Sequence, residues 1–294
     1  MTETYVAAEI ATQPNCWRRA ATLVDSFNSA LPTRGERVAV VGCGTSWFIA
    51  MSYAVLREQA GHGLTDAFAG SEFPETRQYD RVIAISRSGT TTEIITLLKR
   101  MPKTRTVLIT AVADSPAADY AAHVVPLAFA DEQSVVQTRF ATSVLALLRA
   151  HLGTDIEQVA RDGESALQTP IDLLLDAEQV SFVGLGWAIG LAHEAALKTR
   201  ETAQFWAEAY PAMDYRHGPI AIAQPGRLVW SIGPSPEGLR DAVDATGAQL
   251  VEFDLDPQAT LVVAQRFAVA VAERRGLDPD HPRNLSRSVI LTAG

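Results

Sequence analysis

The stretch Val82-Ile83-Ala84-Ile85-Ser86-Arg87-Ser88-Gly89-Thr90-Thr91-Thr92-Glu93 decides how this chain is read. Its apolar half lacks strict alternation, the pattern of a parallel strand covered on both faces. Its second half is hydroxyls around one glycine that can turn sharply. From Thr91 to Arg100, Ile94, Ile95, Leu97 and Leu98 form a helical stripe, so the hydroxyl loop falls at a helix N-terminus. Unpaired N–H groups and the positive dipole end favour an anion there, and Ser and Thr hydroxyls add donors that rotate to fit phosphate oxygens. Ordinary helix capping uses the same residues, and Glu93 suits a first helical turn on either reading.

The neighbouring sequence repeats the pattern. Arg37 to Val41 reads as a strand, followed by Gly42-Cys43-Gly44-Thr45-Ser46 and a helix to about Ala60. Further strands are expected near 66–70, 106–110 and 123–127, and a helix over 136–152 closes the first half. Ahead of it, residues 3–30 read as helical, with Pro14 marking an interruption or a helix start. A polar stretch over 153–169 is expected to hold a short bridging helix. The second half then restarts: Val180 to Trp187 echoes Val38 to Thr45, with Val183 standing 142 residues after Val41. Strands at 228–232 and 250–253 and helices at 237–246 and 259–274 complete it.

Alternation of this kind predicts an α/β protein with two doubly wound, flavodoxin-like parallel sheets flanked by helices. The expected divisions are a helical segment over 1–35, a first subdomain over 36–165 and a second over 166–294. Neither G-x-G loop continues to a third glycine, since Trp47 and Ile189 stand there, which argues against a dinucleotide site.

The 294 residues carry a net charge of −9 and are 47% hydrophobic, enough for a sizeable core but without the clustered cations a nucleic-acid surface needs. Two cysteines give no disulfide framework. The first residues have no leader pattern, and no apolar run is long enough to span a bilayer. A cytoplasmic protein with no membrane or nucleic-acid partner is expected. The six histidines include no close metal-ligand pair, and Asp278, Asp280 and His281 read as loop chemistry, so neither a metal nor a cofactor is expected.

A different chemistry begins at Ile189. Glu194, Lys198 and Glu201 fall at i, i+4 and i+7, on one face of a helix that is otherwise rich in alanine and leucine. His217 follows in a turn-like context before Gly218-Pro219. A carboxylate and an imidazole beside a phosphate cradle are the parts needed to open a sugar ring and move a proton between adjacent carbons.

Together, Cys43-Gly44-Thr45-Ser46, Ser71-Glu72-Phe73, Ser86-Arg87-Ser88-Gly89, Val135 to Thr138, Glu194 to Glu201, Ala207 to Tyr210, His217-Gly218-Pro219 and Pro282-Arg283-Asn284-Leu285 resemble the sugar isomerase (SIS) family. Within it they are most similar to the isomerase half of the glutamine–fructose-6-phosphate aminotransferases. The resemblance implies that Ser46, Ser86, Ser88 and Thr91 hold a phosphate, and that Thr45, Arg87 and the Val135 to Gln137 loop line the sugar. It makes Glu201 the proton shuttle between C1 and C2 and Lys198 the stabiliser of the developing oxyanion. His217 becomes the ring-opening residue, reaching into a neighbouring subunit of a homodimer.

Three departures bear on substrate. The glutaminase half is absent from these residues, so glutamine hydrolysis is not expected. Arg287 stands where the family has a tail lysine, and a guanidinium clamps charge but forms no Schiff base. Arg87 and Thr90 replace a loop glutamine and glutamate. The expected activity is a metal-independent phosphosugar isomerase or deaminase. A fructosamine-6-phosphate deglycase or a non-catalytic sugar-phosphate sensor stands as the alternative.

Overall fold

The computed structural model describes residues 4–74 and 76–291; the first three residues of the expected N-terminal helical segment and the last three residues of the expected second subdomain lie outside them. In chain order the elements are α1 (Tyr5–Ala11), α2 (Gln13–Ala21), β1 (Val38–Gly42), α3 (Thr45–Gln59), β2 (Thr65–Ala69), β3 (Arg81–Ile85), α4 (Thr92–Arg100), β4 (Thr106–Thr110), β5 (His123–Pro126) and α5 (Arg139–His151). They continue as α6 (Ile156–Gln168), β6 (Gln179–Gly184), α7 (Ala188–Ala203), β7 (Ala207–Pro211), β8 (Arg227–Ile232), α8 (Leu239–Asp244), β9 (Gln249–Val251) and α9 (Pro257–Arg274), with short 3-10 turns between.

The chain forms two compact units. One comprises Asn15–Gln133, Gln137–Ile156 and the tail from Ser286; the other comprises the chain up to Pro14, Ser134–Val136 and Glu157–Leu285.

The first unit is built on a five-stranded parallel sheet of order β2-β1-β3-β4-β5. Every residue of β1 and β4 is buried, which explains why these strands read as unbroken apolar runs rather than alternating ones. One core layer gathers Ala39, Val41, Ala84, Ile94, Leu98 and Leu108, so α4 is held to the sheet by the stripe expected from its sequence. Trp17 of α2 is fully buried and donates its indole N–H to Thr142 Oγ1 at 2.8 Å, which satisfies the polar end of a large apolar side chain. Pro14 lies at the second position of α2, where its missing N–H costs nothing.

The second unit carries a four-stranded parallel sheet of order β7-β6-β8-β9. Its strand β7 was not expected from the sequence. Trp230 of β8 is fully buried, with Phe182, Phe253 and Phe267 rings 5.5, 5.6 and 5.6 Å from it. Such aromatic pairs add roughly 1 kcal/mol each beyond their area. At its N-terminal end, α1 is capped by Asp280, whose carboxylate accepts the N–H groups of Tyr5 and Val6, both at 2.8 Å. His281 Nδ1 lies 2.9 Å from Asp278. The acidic cluster of the tail therefore holds structure. Among the described residues, no helix is long and apolar enough to cross a membrane.

Candidate functional site

In the five-stranded unit the strand order reverses direction between β1 and β3, which pair in parallel register from Val38 with Arg81 to Val41 with Ala84. Their C-terminal ends therefore lie side by side, and a crevice forms at such a switch point because the two following connections leave to opposite sides. The loops emerging there are Cys43 to Ser46 and Ser86 to Thr91, the two hydroxyl loops of the sequence.

Each loop is held close to its sheet. A Cβ on Gly42 would lie 2.4 Å from the Ser46 carbonyl carbon, and Gly44 has φ of +53°, so this approach requires the glycines. Gly89 has φ of +62°, and a Cβ there would lie 1.9 Å from Ser115 Oγ. The end of β4 grips the second loop, since the Ala111 N–H and Thr110 Oγ1 both donate to the Arg87 carbonyl, at 3.0 and 3.1 Å. Ser86 Oγ accepts the Gly89 N–H at 3.2 Å, and Ser88 Oγ accepts the Thr90 N–H at 3.2 Å. Thr45, Ser46, Ser86, Arg87 and Ser88 are all buried. Neither α3 nor α4 has a side-chain cap, although Thr91 occupies the N-cap position of α4. The capping reading of these hydroxyls is thus not the one the structure uses.

Arg87 is enclosed with a partner the sequence reading missed. Its guanidinium faces the Glu132 carboxylate at 3.4 Å, with side-chain exposures of 1% and 0%. Glu132 also accepts from Thr138 Oγ1 and the Arg139 N–H, each at 2.8 Å, at the start of α5. The only local signal is a pair of acids, Asp131 and Glu132, shortly before an apolar helix. The tail joins this cluster. Arg87 Nη2 donates to the Arg287 carbonyl at 3.1 Å, while the Arg287 side chain bonds the Glu132 carbonyl and the Asp131 carboxylate. Beyond it, the Val289 carbonyl accepts the Thr92 N–H at 3.2 Å. Gln137 lies between Glu132 and the start of α5, with its amide oxygen buried. A cavity of about 750 Å3 flanks α4, lined by Gly70, Ser71, Phe73, Thr92, Glu93 and Arg100 among others, and contains none of the residues expected to hold phosphate.

In the four-stranded unit, α7 brings its three charged residues together as their spacing requires. Lys198 Nζ lies 3.6 Å from Glu194 and is directly bonded to Glu201. Lys198 and Glu194 side chains are 2% and 1% exposed, whereas Glu201 is 20% exposed. The carboxylate at the end of the row is therefore the accessible one. On the same helix, burial and the charge of Arg200 hold His193 below the usual imidazole range. On β7, Tyr210 donates to Glu208 at 2.9 Å, and burial followed by that carboxylate pushes its phenol up to about 12. Val135 sits in an irregular segment of this unit. His217 ends a 3-10 turn, Asp214–His217, and is exposed. Among the described residues, no bond joins it to Lys198 or Glu201.

The fold and these loops define a class of protein in which a parallel α/β sheet presents hydroxyls and helix N-termini at its switch point. Within that class, residues 33–152 of the chain match the SIS domain family. The chain is 28% identical to a glutamine–fructose-6-phosphate aminotransferase [isomerizing] of Sulfolobus acidocaldarius over 92% of this chain and 52% of that protein. The enzyme of the same name from Gloeobacter violaceus is 30% identical over 87% and 52%. The chain spans about half the length of these curated relatives. Among solved structures, glucosamine-6-phosphate deaminase from Thermotoga maritima superposes with a TM-score of 0.79, at 24% identity, over 98% of this chain and 100% of that one. Tagatose-6-phosphate ketose/aldose isomerase from Escherichia coli superposes with a TM-score of 0.77, at 21% identity, over 96% and 98%. The two-sheet α/β fold expected from the sequence is shared with both.

Proposed function

We propose that the protein is a phosphosugar isomerase or deaminase that moves a proton between C1 and C2 of a hexose 6-phosphate or amino-sugar 6-phosphate. The observation that carries this reading is the Lys198–Glu201 pair: a buried ammonium bonded to a carboxylate that is itself partly open. Proton abstraction beside a carbonyl needs a base and a cation at the oxygen where charge develops, and this pair supplies both. Ser46, Ser86, Ser88 and Thr91 hold the phosphate with the uncapped helix starts of α3 and α4. Arg87, Thr45, Val135, Gln137 and Arg287 surround the sugar, and His217 opens the ring from a second copy in a homodimer. The names of the relatives supply the substrate class.

For an amino sugar, Glu201 takes the proton from C2, Lys198 stabilises the oxygen anion of the enolamine, and Glu201 returns the proton to C1. Water then adds to the ketose imine and ammonia leaves. Deglycation of a 6-phosphofructosyl amine is the second reading. It is favoured by Arg287, whose guanidinium is engaged by Asp131 and Glu132 and offers no amine to attack an open-chain carbonyl.

Proton NMR in D2O tests both. Incubation with glucosamine 6-phosphate, fructose 6-phosphate and fructosyl-amine 6-phosphates places deuterium at C1 or C2 in wild type. Glu201→Gln lowers the exchange rate at least about a hundredfold. Ammonia marks deamination, a free amine marks deglycation, and neither marks isomerisation. Exchange that survives Glu201→Gln would remove the shuttle assignment.

A further inference from the structure

Glu9 lies on α1, far in sequence from every residue given a role above, yet it is bonded to Ser134, the chain neighbour of one of them, Val135. Its carboxylate accepts a hydrogen bond from Ser134 Oγ and the Ser134 N–H at 3.5 Å. Glu9 is 4% exposed, Ser134 1% and Val136 2%. Ser134 Oγ also lies 2.8 Å from the Val136 carbonyl, so its one O–H proton stands between the Glu9 carboxylate and the far end of a three-residue turn. Residues 134–136 form neither helix nor strand, and no ladder fixes their backbone. Their conformation depends on what they are bonded to.

The helix beneath them is tied at both ends. Asp280 caps the start of α1, and just past its end Gln13 Nε2 donates to Gln265 Oε1 of α9 at 2.7 Å and to the Ile10 carbonyl at 3.3 Å. All of these groups belong to the four-stranded unit. A carboxylate anchored at both ends of its helix and bonded to an irregular segment acts as a template for that segment.

We propose that Glu9 is the positioning residue for Ser134–Val136, and that through Ser134 it sets where Val135 meets the sugar. This rests on the sugar-phosphate reading above, in which Val135 lines the sugar while phosphate is held by other loops. The two contributions are therefore separable. Loss of the Glu9 anchor weakens binding of a sugar phosphate but spares binding of phosphate itself.

Glu9→Gln replaces one acceptor oxygen with a donor of the same shape, so the Ser134 N–H and Oγ, which meet different oxygens of the carboxylate, lose one acceptor between them. Ser134→Ala removes the same bond from a small side chain, which protects the test if Glu9→Gln folds poorly. Ser134→Thr retains the hydroxyl. The first readout is peptide-resolved hydrogen exchange, with faster exchange expected over 133–137 in Glu9→Gln and Ser134→Ala and wild-type exchange in Ser134→Thr. The second is calorimetric titration with fructose 6-phosphate and, separately, inorganic phosphate. The fructose 6-phosphate dissociation constant is expected to rise about tenfold in both disrupting variants, with no further rise when they are combined and no change for inorganic phosphate. Unchanged exchange, or equal weakening for both ligands, overturns the proposal. If wild type binds phosphate but no sugar phosphate, the functional reading falls instead, and the exchange comparison alone decides whether Glu9 anchors the segment.

Discussion

At the scale of single residues, Arg87 and Cys43 show how enclosure sets chemistry. Arg87 and Glu132 are both shut away from water, so removing one charge strands the other. Arg87→Met is expected to destabilise the five-stranded unit by about 3 kcal/mol. Adding Glu132→Gln removes the stranded charge and recovers part of that loss, which urea unfolding of the single and double variants measures. A double variant weaker than the sum of the single losses would mean that Glu132 is held chiefly by Thr138 and Arg139. Cys43, next to the hydroxyl loop after β1, is held above the usual thiol range by burial, with the Gly70 N–H pulling down and Glu93 pushing up. A raised value leaves the thiol protonated at neutral pH, so alkylation by iodoacetamide should be slow there and its rate should still climb above about pH 9. A plateau below about pH 8 would contradict the assignment. The hydroxyls and the α7 charges were legible from residue type and spacing alone. The Glu132 partner of Arg87 was not, because it lies 45 residues away and only the folded chain joins them.

Secondary-structure elements were legible to the degree that burial leaves a mark on local sequence. The strands β1, β3 and β4 are covered on both faces and therefore apolar at nearly every position, and α4 shows a clean stripe because one face meets the sheet. The edge strand β7, Ala207-Glu208-Ala209-Tyr210-Pro211, has only one residue fully buried, carries a glutamate and ends in proline, so its local pattern resembles a loop. The two G-x-G elbows show a deeper regularity. Gly44 and Gly186 have φ of +53° and +55°, and a Cβ on Gly42 or Gly184 would meet the backbone of the following helix at 2.4 or 2.5 Å. The same steric demand thus recurs 142 residues apart, and that is why the sequence echo is a structural one. Gly89 offers the sharpest test at this scale. Gly89→Ala places a methyl group into Ser115 in a left-handed backbone, and a loss of about 3 kcal/mol is expected in thermal or urea unfolding. Ser115→Gly in the same chain removes the clash but not the backbone strain, so it should restore roughly half of that loss. Full restoration would place the whole cost in the contact, and none would place it in the backbone.

For the whole molecule, the question is how His217, the third group of the proposed mechanism, reaches its substrate. Lys198 and Glu201 are bonded to one another on α7, while His217 is exposed at the end of a 3-10 turn in the same unit. An exposed imidazole is suited to act on a second copy, and in a symmetric dimer such an exchange is mutual, with each subunit lending His217 to the other's site. Mixing variants separates this arrangement from one in which His217 serves its own chain. Glu201→Gln and His217→Ala are each expected to be inactive as homodimers. After unfolding and refolding together, random pairing makes half of the dimers mixed, and each mixed dimer has one site with both substitutions and one with neither. About a quarter of wild-type activity should therefore return if His217 is shared across subunits. If His217 acts within its own chain, every site in the mixture carries one substitution, and no activity returns. Light scattering on the same samples confirms that dimers have formed, so silence in the assay can be assigned to geometry rather than to failed assembly.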